Sequence, residues 1–264
     1  MKKNIICLSL LVISIVAFFL YNQYTRATKD TTAPIIKCSE DTITASVSVT
    51  EEELLKGVTA FDETCGDVSD TIVIEKISDF IADNERVITY VAVDDSMNVG
   101  RYERTLIYTD YKPPTFTLKA PLSYTVGTKI NILKDVGAKS VIDGDVSDKV
   151  RYGLEQVIDN LTPGKYPIEL RVTDSCGKTS YLNTEIEIYD SSYSGIKVEL
   201  KKYLTYLPVG TVFNKGAYYK GSNIQGTLSI VSNVNTKVPG TYYADYYVSA
   251  ENVKGKSRLT VVVY

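Results

Sequence analysis

The sequence predicts an all-β chain, three tandem β-sandwiches behind one N-terminal transmembrane helix. Three observations carry that reading. An uncharged, mostly apolar run, IICLSLLVISIVAFFLY, fills residues 5–21 directly after Lys2 and Lys3. Beyond residue 32 the chain repeats itself: GDVSD recurs 78 residues on, and Pro163-Gly164 returns as Pro239-Gly240, 76 residues on. Within each repeat, short segments such as YPIELRV and YYADYYV are rich in β-branched and aromatic residues, and the first alternates apolar with polar, the period of a strand.

The apolar run of 17 residues would be about 26 Å long as a helix, at the short edge of a membrane span. Lys2 and Lys3 place residues 1–4 in the cytoplasm and everything after Tyr21 outside. The expectation is an uncleaved signal anchor over 5–21, a linker over 22–32, and a single-pass protein of the cell membrane with its bulk extracellular. The alternative is a secreted chain cleaved after Thr25-Arg26-Ala27. The run is longer than a signal peptide needs, and the cleavage site carries an arginine.

Three units follow, at 33–111, 112–191 and 192–264. Their starts align as TAPIIKCS, PPTFTLKA and SGIKVELK. Their later halves align better: LTPGKYPIELRVTDSCGKTS matches KVPGTYYADYYVSAENVKGKS, and DNERVITYVAVDDSMNVG stands at the same place in the first unit. Each closes on a strand, YERTLIYTD, NTEIEIYD and SRLTVVVY. Pro-Gly before a strand and Gly or Asn after it are turn signals, and short strands at this spacing suggest a seven-strand sandwich. One helical turn is expected where Thr50-Glu51-Glu52-Glu53 forms a capping box ahead of LLKG.

A proline-led first strand, a DGD-type turn, and G-x-Y opening a strand that ends in V-x-D-x-x-G are similar to the bacterial immunoglobulin-like (Ig-like) repeats of Gram-positive surface proteins. That family is also found in a pesticidal crystal toxin and is related to the HYR module. The resemblance covers nearly all of the chain after residue 32. It implies three immunoglobulin-like β-sandwiches, extracellular, tandem and non-catalytic. The third unit departs from the pattern, with no GDVSD and with Ala250-Glu251-Asn252 where Asp174 has its counterpart. HYR-like modules bridge the first strand to a later segment, so the resemblance implies a Cys38–Cys65 disulfide in an oxidising compartment. If that pair forms, Cys176 is left over as a free thiol or an intermolecular partner; the other reading is three reduced thiols.

The chemistry is bounded by what is missing. The chain has no His, which removes the commonest general base and metal ligand. The 32 acidic residues form no glycosidase-like pair in the sequence, so no enzyme activity and no cofactor are expected. Asp143, Asp145 and Asp148 could ligate calcium. The first copy of the loop, however, replaces Asp143 by Cys65, and Asp, Gly and Ser are also what a tight turn needs. A plain turn is the expectation and a metal site the alternative.

Charge is uneven. Residues 33–111 carry six basic against seventeen acidic residues, and 192–264 carry nine against three. An acidic unit near the membrane and a basic last unit suit an anionic partner. In the last unit, Tyr242, Ala244, Tyr246 and Val248 should point inward, as should Leu259, Val261 and Val263. Tyr243, Tyr247, Arg258 and Tyr264 would then face solvent and form a ligand-binding row. The expected function is a surface protein, adhesive in kind, whose last domain binds a glycan, an anionic envelope polymer or a protein. The alternative is a structural spacer or assembly subunit of a cell-envelope complex. Nucleic acid is not an expected partner, given the topology and the net charge of −3.

Overall fold

The computed structural model describes residues 2–154 and 157–264, leaving the side chains of 2–8 and 26–28 aside. The chain forms two compact units, residues 1–109 and 110–264. The first begins with helix α1 (Lys2–Thr28). The expected span over 5–21 starts on residues whose side chains lie outside the description. Among the described residues no helix is long and apolar enough to cross a membrane, so the transmembrane expectation finds no support there.

The first sandwich has seven strands: β1 (Ile35–Cys38), β2 (Thr42–Ala45), β3 (Val58–Asp62), β4 (Gly66–Asp67), β5 (Val73–Ile77), β6 (Glu85–Val93) and β7 (Val99–Tyr108). One sheet runs β1-β3-β4 and the other β2-β7-β6-β5. The first strand is split: β1 pairs antiparallel with β3, and β2 crosses over to run parallel to β7. Ile36, Ala60, Ile88, Tyr90 and Leu106 alternate inward and fill the core. The predicted helical turn is α2 (Glu51–Leu55), with both halves of the Thr50/Glu53 capping box formed. Its Leu54 carbonyl accepts a hydrogen bond from the buried Tyr90 hydroxyl.

The second sandwich repeats this order with β8 (Thr115–Leu118), β9 (Ser123–Thr125), α3 (Ile132–Asp135), β10 (Val136–Ser140), β11 (Gly144–Asp145), β12 (Arg151–Leu154), β13 (Gly164–Thr173) and β14 (Thr179–Tyr189). Its sheets are β11-β10-β8 and β12-β13-β14-β9. The third has β15 (Val198–Leu200), β16 (Leu204–Leu207), β17 (Tyr219–Ser222), β18 (Thr227–Ser232), β19 (Gly240–Ala250) and β20 (Val253–Val263), in sheets β15-β17 and β16-β20-β19-β18. The all-β expectation therefore holds, and the sheet arrangement is consistent with Ig-like sandwiches. The third sandwich has six strands rather than seven, because without GDVSD the short strand equivalent to β4 and β11 does not form. Where the V-x-D-x-x-G pattern fails, Glu251 takes φ +46° and the hairpin closes with Ala250 opposite Val253.

Both GDVSD copies build the same turn. Gly66 and Gly144 adopt φ of +82° and +74°, a region open to glycine. Asp67 Oδ1 accepts from the Ser69 amide at 3.0 Å and its hydroxyl at 2.6 Å, and Asp145 does the same for Ser147. Each serine oxygen in turn accepts the amide of a facing strand residue, Ala60 at 2.9 Å and Ala138 at 3.1 Å. The serine bonds hold both aspartates below the usual carboxylate range.

The implied Cys38–Cys65 bridge is absent, and all three cysteines outside α1 are unbridged. The ladder explains why. Cys38 lies opposite Val58, and Ile35 opposite Phe61, so Cys65 sits beyond the far end of the ladder from Cys38. Three residues of strand already separate those ends by about 10 Å, more than the roughly 7 Å over which two Cα atoms can be bridged.

Removing the serine oxygens should therefore cost more than removing the outer carboxylate. Ser69→Ala and Ser147→Ala are each expected to lose about 1 kcal/mol in urea unfolding. Asp148→Asn, on an exposed side chain, should stay within about 0.5 kcal/mol. The reverse ranking would mark the turn as a metal loop.

Candidate functional site

Strand β19 reads GTYYADYYVSA and follows the expected phase. Ala244, Tyr246 and Val248 are fully buried in the third core, as are Leu259 and Val261 of β20. The Tyr246 hydroxyl donates to the Lys215 carbonyl at 2.6 Å, and burial pushes its pKa up to about 12. The opposite face of β19 and β20 thus carries Tyr243, Asp245, Tyr247, Lys256 and Arg258, as alternation requires. Cross-strand pairing sets Asp245 opposite Arg258 and Tyr247 opposite Lys256.

That face is not open to solvent, which corrects the expectation for most of the row. Strand β14 of the second sandwich turns its own outer residues, Glu185, Glu187 and Tyr189, onto it. Arg258 keeps 2% of its surface. Its guanidinium grips Asp245 in a fork, Nε to Oδ1 at 2.7 Å and Nη2 to Oδ2 at 3.0 Å, and reaches Glu185 at 2.8 Å and Glu187 at 2.9 Å. Lys256 Nζ donates to both Glu187 oxygens, at 2.6 and 2.7 Å. At the rim Lys165 lies 3.3 Å from Glu185. Three carboxylates thus meet three cations in this network.

The tyrosines wall the network. Arg258 stacks 4.8 Å from the Tyr243 ring centre, and Lys256 lies 5.3 Å from Tyr247 and 5.5 Å from Tyr189. Tyr243 shares a hydrogen bond with Thr184 at 3.3 Å, and Tyr247 meets Tyr193 edge-on at 5.6 Å. Burial raises the pKa of both Tyr243 and Tyr247. For Arg258 burial acts to lower the pKa, but the hydrogen bonds it donates to Asp245 and the charges of Asp245, Glu187 and Glu185 outweigh it and raise it. The arrangement is a network of paired charges and rings. It is a clamp between two sandwiches.

Tyr264 is elsewhere. It is exposed at the end of the chain, six residues from Arg258 along β20 and so about 20 Å away. The other named carboxylates do not converge either. Asp145 bonds its own turn, Asp148 is exposed, and Asp143 accepts from the Ser175 amide at 2.8 Å and lies 3.7 Å from Lys149. Lys256, Glu185 and Glu187 were missed in the sequence. Their signal is the alternation itself: TEIEIY puts two acids on one face of β14, and KGKSR puts three bases on one face of β20.

No family model matches the chain, and no curated protein does. Among solved structures, a lipoprotein from Bacteroides thetaiotaomicron is similar at 10% identity and TM-score 0.24, over 56% of this chain and 98% of that one. The CBM51-2 and INT domains of Clostridium perfringens ZmpB, solved with GlcNAc, are similar at 15% identity and TM-score 0.23, over 87% of this chain and 41% of that one. Human CDH23 EC21-23 is similar at 11% identity and TM-score 0.23, over 88% and 100%. At such scores the fold assignment rests on strand order alone.

Truncating Arg258 leaves three carboxylates facing one another in the seam. Arg258→Ala should destabilise the unit of residues 110–264 by about 3–5 kcal/mol. Tyr243→Phe, which removes one long hydrogen bond, should cost no more than about 1 kcal/mol. Urea unfolding of both variants measures the difference, and equal small losses would mean the network is solvated.

Proposed function

We propose that the chain is a non-catalytic, membrane-anchored cell-surface protein whose last sandwich binds an anionic polymer of the cell envelope. One observation carries the binding part. After the seam takes Lys256 and Arg258, seven lysines of residues 192–264 stay exposed: Lys197, Lys201, Lys202, Lys215, Lys220, Lys237 and Lys254. Against them stand only Glu199 and Glu251 outside the seam. Lys197 and Lys220 share Glu199, at 2.7 and 3.0 Å, and their hydrogen bonds hold its pKa down at about 2. Lys201 and Lys202 follow directly after β15, so four lysines gather on or beside the two-stranded sheet. Such a concentration of one sign attracts an oppositely charged chain.

The anchor reading rests on the uncharged run of residues 5–21 behind Lys2 and Lys3 and on local apolarity in the described part of α1, which falls short of a membrane-crossing helix. Leu10, Leu11, Val12 and Ile13 are four successive residues and so cover every side of a helix, yet each leaves more than half of its surface exposed. A helix apolar all round suits lipid better than water.

A second reading, an assembly subunit, is favoured by β18. This edge strand, TLSIVS, has no charge and no proline and pairs with β19 without a bulge. The equivalent β5 carries Glu75 and Lys76 and a register shift, and β12 carries Arg151. The Lys215 ammonium already bonds the Ile230 carbonyl of this edge at 3.0 Å; the rest of the edge is regular and can accept another strand.

Polyphosphate titration separates the readings. Lys201→Glu with Lys202→Glu should weaken binding about tenfold or more and flatten its salt dependence, while neutral dextran should not bind. No polyanion binding, together with self-association that a Val231→Lys change abolishes, would favour the assembly reading. The mature protein, taken from its own membrane, should retain residues 1–27 by intact mass; a start at Thr28 would remove the anchor.

A further inference from the structure

The first sandwich contains a cluster with no counterpart among the described residues of the other two. Asp30, in the segment between α1 and β1, Asp62, at the end of β3, and Cys65, in the following turn, bring one ligand atom each within 4.8 Å of one another. Asp62 is buried, with 2% of its surface exposed. Its Oδ1 accepts the Thr64 and Cys65 amides at 2.8 and 2.9 Å. Its Oδ2 is buried and has no hydrogen-bond partner. Asp30 is arranged likewise: Oδ1 accepts the Thr32 amide and hydroxyl at 2.9 and 2.6 Å, and Oδ2 is shielded with no partner.

The second sandwich shows that the turn does not need this second oxygen. Offset by 78 residues, Asp62 corresponds to Ser140, Thr64 to Ile142, Cys65 to Asp143 and Thr71 to Lys149. Ser140 Oγ alone accepts the Ile142 and Asp143 amides, at 3.1 and 3.2 Å. There, Lys149 supplies a cation 3.7 Å from Asp143. In the first sandwich that place holds Thr71, and among the described residues no lysine or arginine pairs with Asp30 or Asp62. Two carboxylates and a thiol are thus held together with a buried oxygen unsatisfied, at a sandwich whose residues 33–111 carry seventeen acidic against six basic. An unpaired buried carboxylate is costly, and a divalent cation removes that cost.

We propose that Asp30, Asp62 and Cys65 bind one divalent transition-metal ion of the zinc class. The thiolate sets the class. Sulfur ligands favour zinc and its borderline neighbours over calcium and magnesium, which take oxygen alone. Three protein ligands leave a further position to water or another donor. The ion would tie the segment that leaves α1 to the first sandwich, since Asp30 lies two residues after the helix ends at Thr28.

The test is cobalt titration of the full-length, metal-free protein in detergent, with zinc as competitor. The expected result is one cobalt per chain, near-ultraviolet thiolate-to-cobalt absorption, and displacement by zinc. Cys65→Ser should abolish that absorption, and Asp62→Ser, which keeps the turn bonds that Ser140 makes, should weaken binding about tenfold or more. Cys38→Ser and Asp143→Ser should leave it unchanged. Zinc should also raise the melting temperature of the wild type by a few degrees and not that of Asp62→Ser. No cobalt binding, or absorption that survives Cys65→Ser, overturns the proposal. So does calcium raising the melting temperature equally in wild type and Cys65→Ser, which would make the cluster an oxygen-only site.

Discussion

The Arg258 guanidinium is the contact on which the unit of residues 110–264 depends. It is buried from water and satisfied by acids from two sandwiches: Asp245 on its neighbouring strand, and Glu185 and Glu187 on β14. A desolvated guanidinium tolerates few arrangements, because every lost partner leaves a buried charge uncompensated. The fork to Asp245 orients the plane of the group, and the glutamates then fix where β14 must lie. Lys256 repeats the logic one pair further along, opposite Tyr247. A network of this kind adds little net stability compared with apolar packing, but it selects one relative placement. Apolar contact continues beside it, since Leu204 belongs to the second core, with Tyr203, Tyr206 and Val262 packed against it.

That constraint changes what the last sandwich has to offer a partner. Its aromatic row is spent internally, with Tyr243 under Arg258 and Tyr247 beside Lys256. What remains outside is lysine, and an edge strand, β18, with no charged residue of its own. The acidic first unit differs in the same way from the second: one residue, Asp62 in place of Ser140, adds an oxygen that the turn does not use. The units share one strand order and differ at a few turn and outer-face positions.

Much of this was legible in the sequence, for identifiable reasons. Alternation in YPIELRV, carried to YYADYYV by the 76-residue repeat, set the inward residues, because a strand's period is two and a buried face leaves no freedom of register. The Thr50/Glu53 box is local and needs no tertiary information. The Cys38–Cys65 pairing failed because it depends on the direction of the β1–β3 ladder, which separates the two residues. The seam failed for another reason. Alternation says which face of a strand is outward, but not whether a second outward face covers it. The charges of Glu185, Glu187, Lys256 and Arg258 held that information jointly, while each strand taken alone reads as an ordinary wet surface.

A seam of this kind makes the second and third sandwiches one cooperative unit. Native-state hydrogen exchange on the intact protein tests it most directly. The slowest amides of β13, β14, β19 and β20 should share a single opening free energy and the same denaturant dependence. Exchange of β19 and β20 through a separate, lower-energy opening that leaves β14 protected would contradict the account.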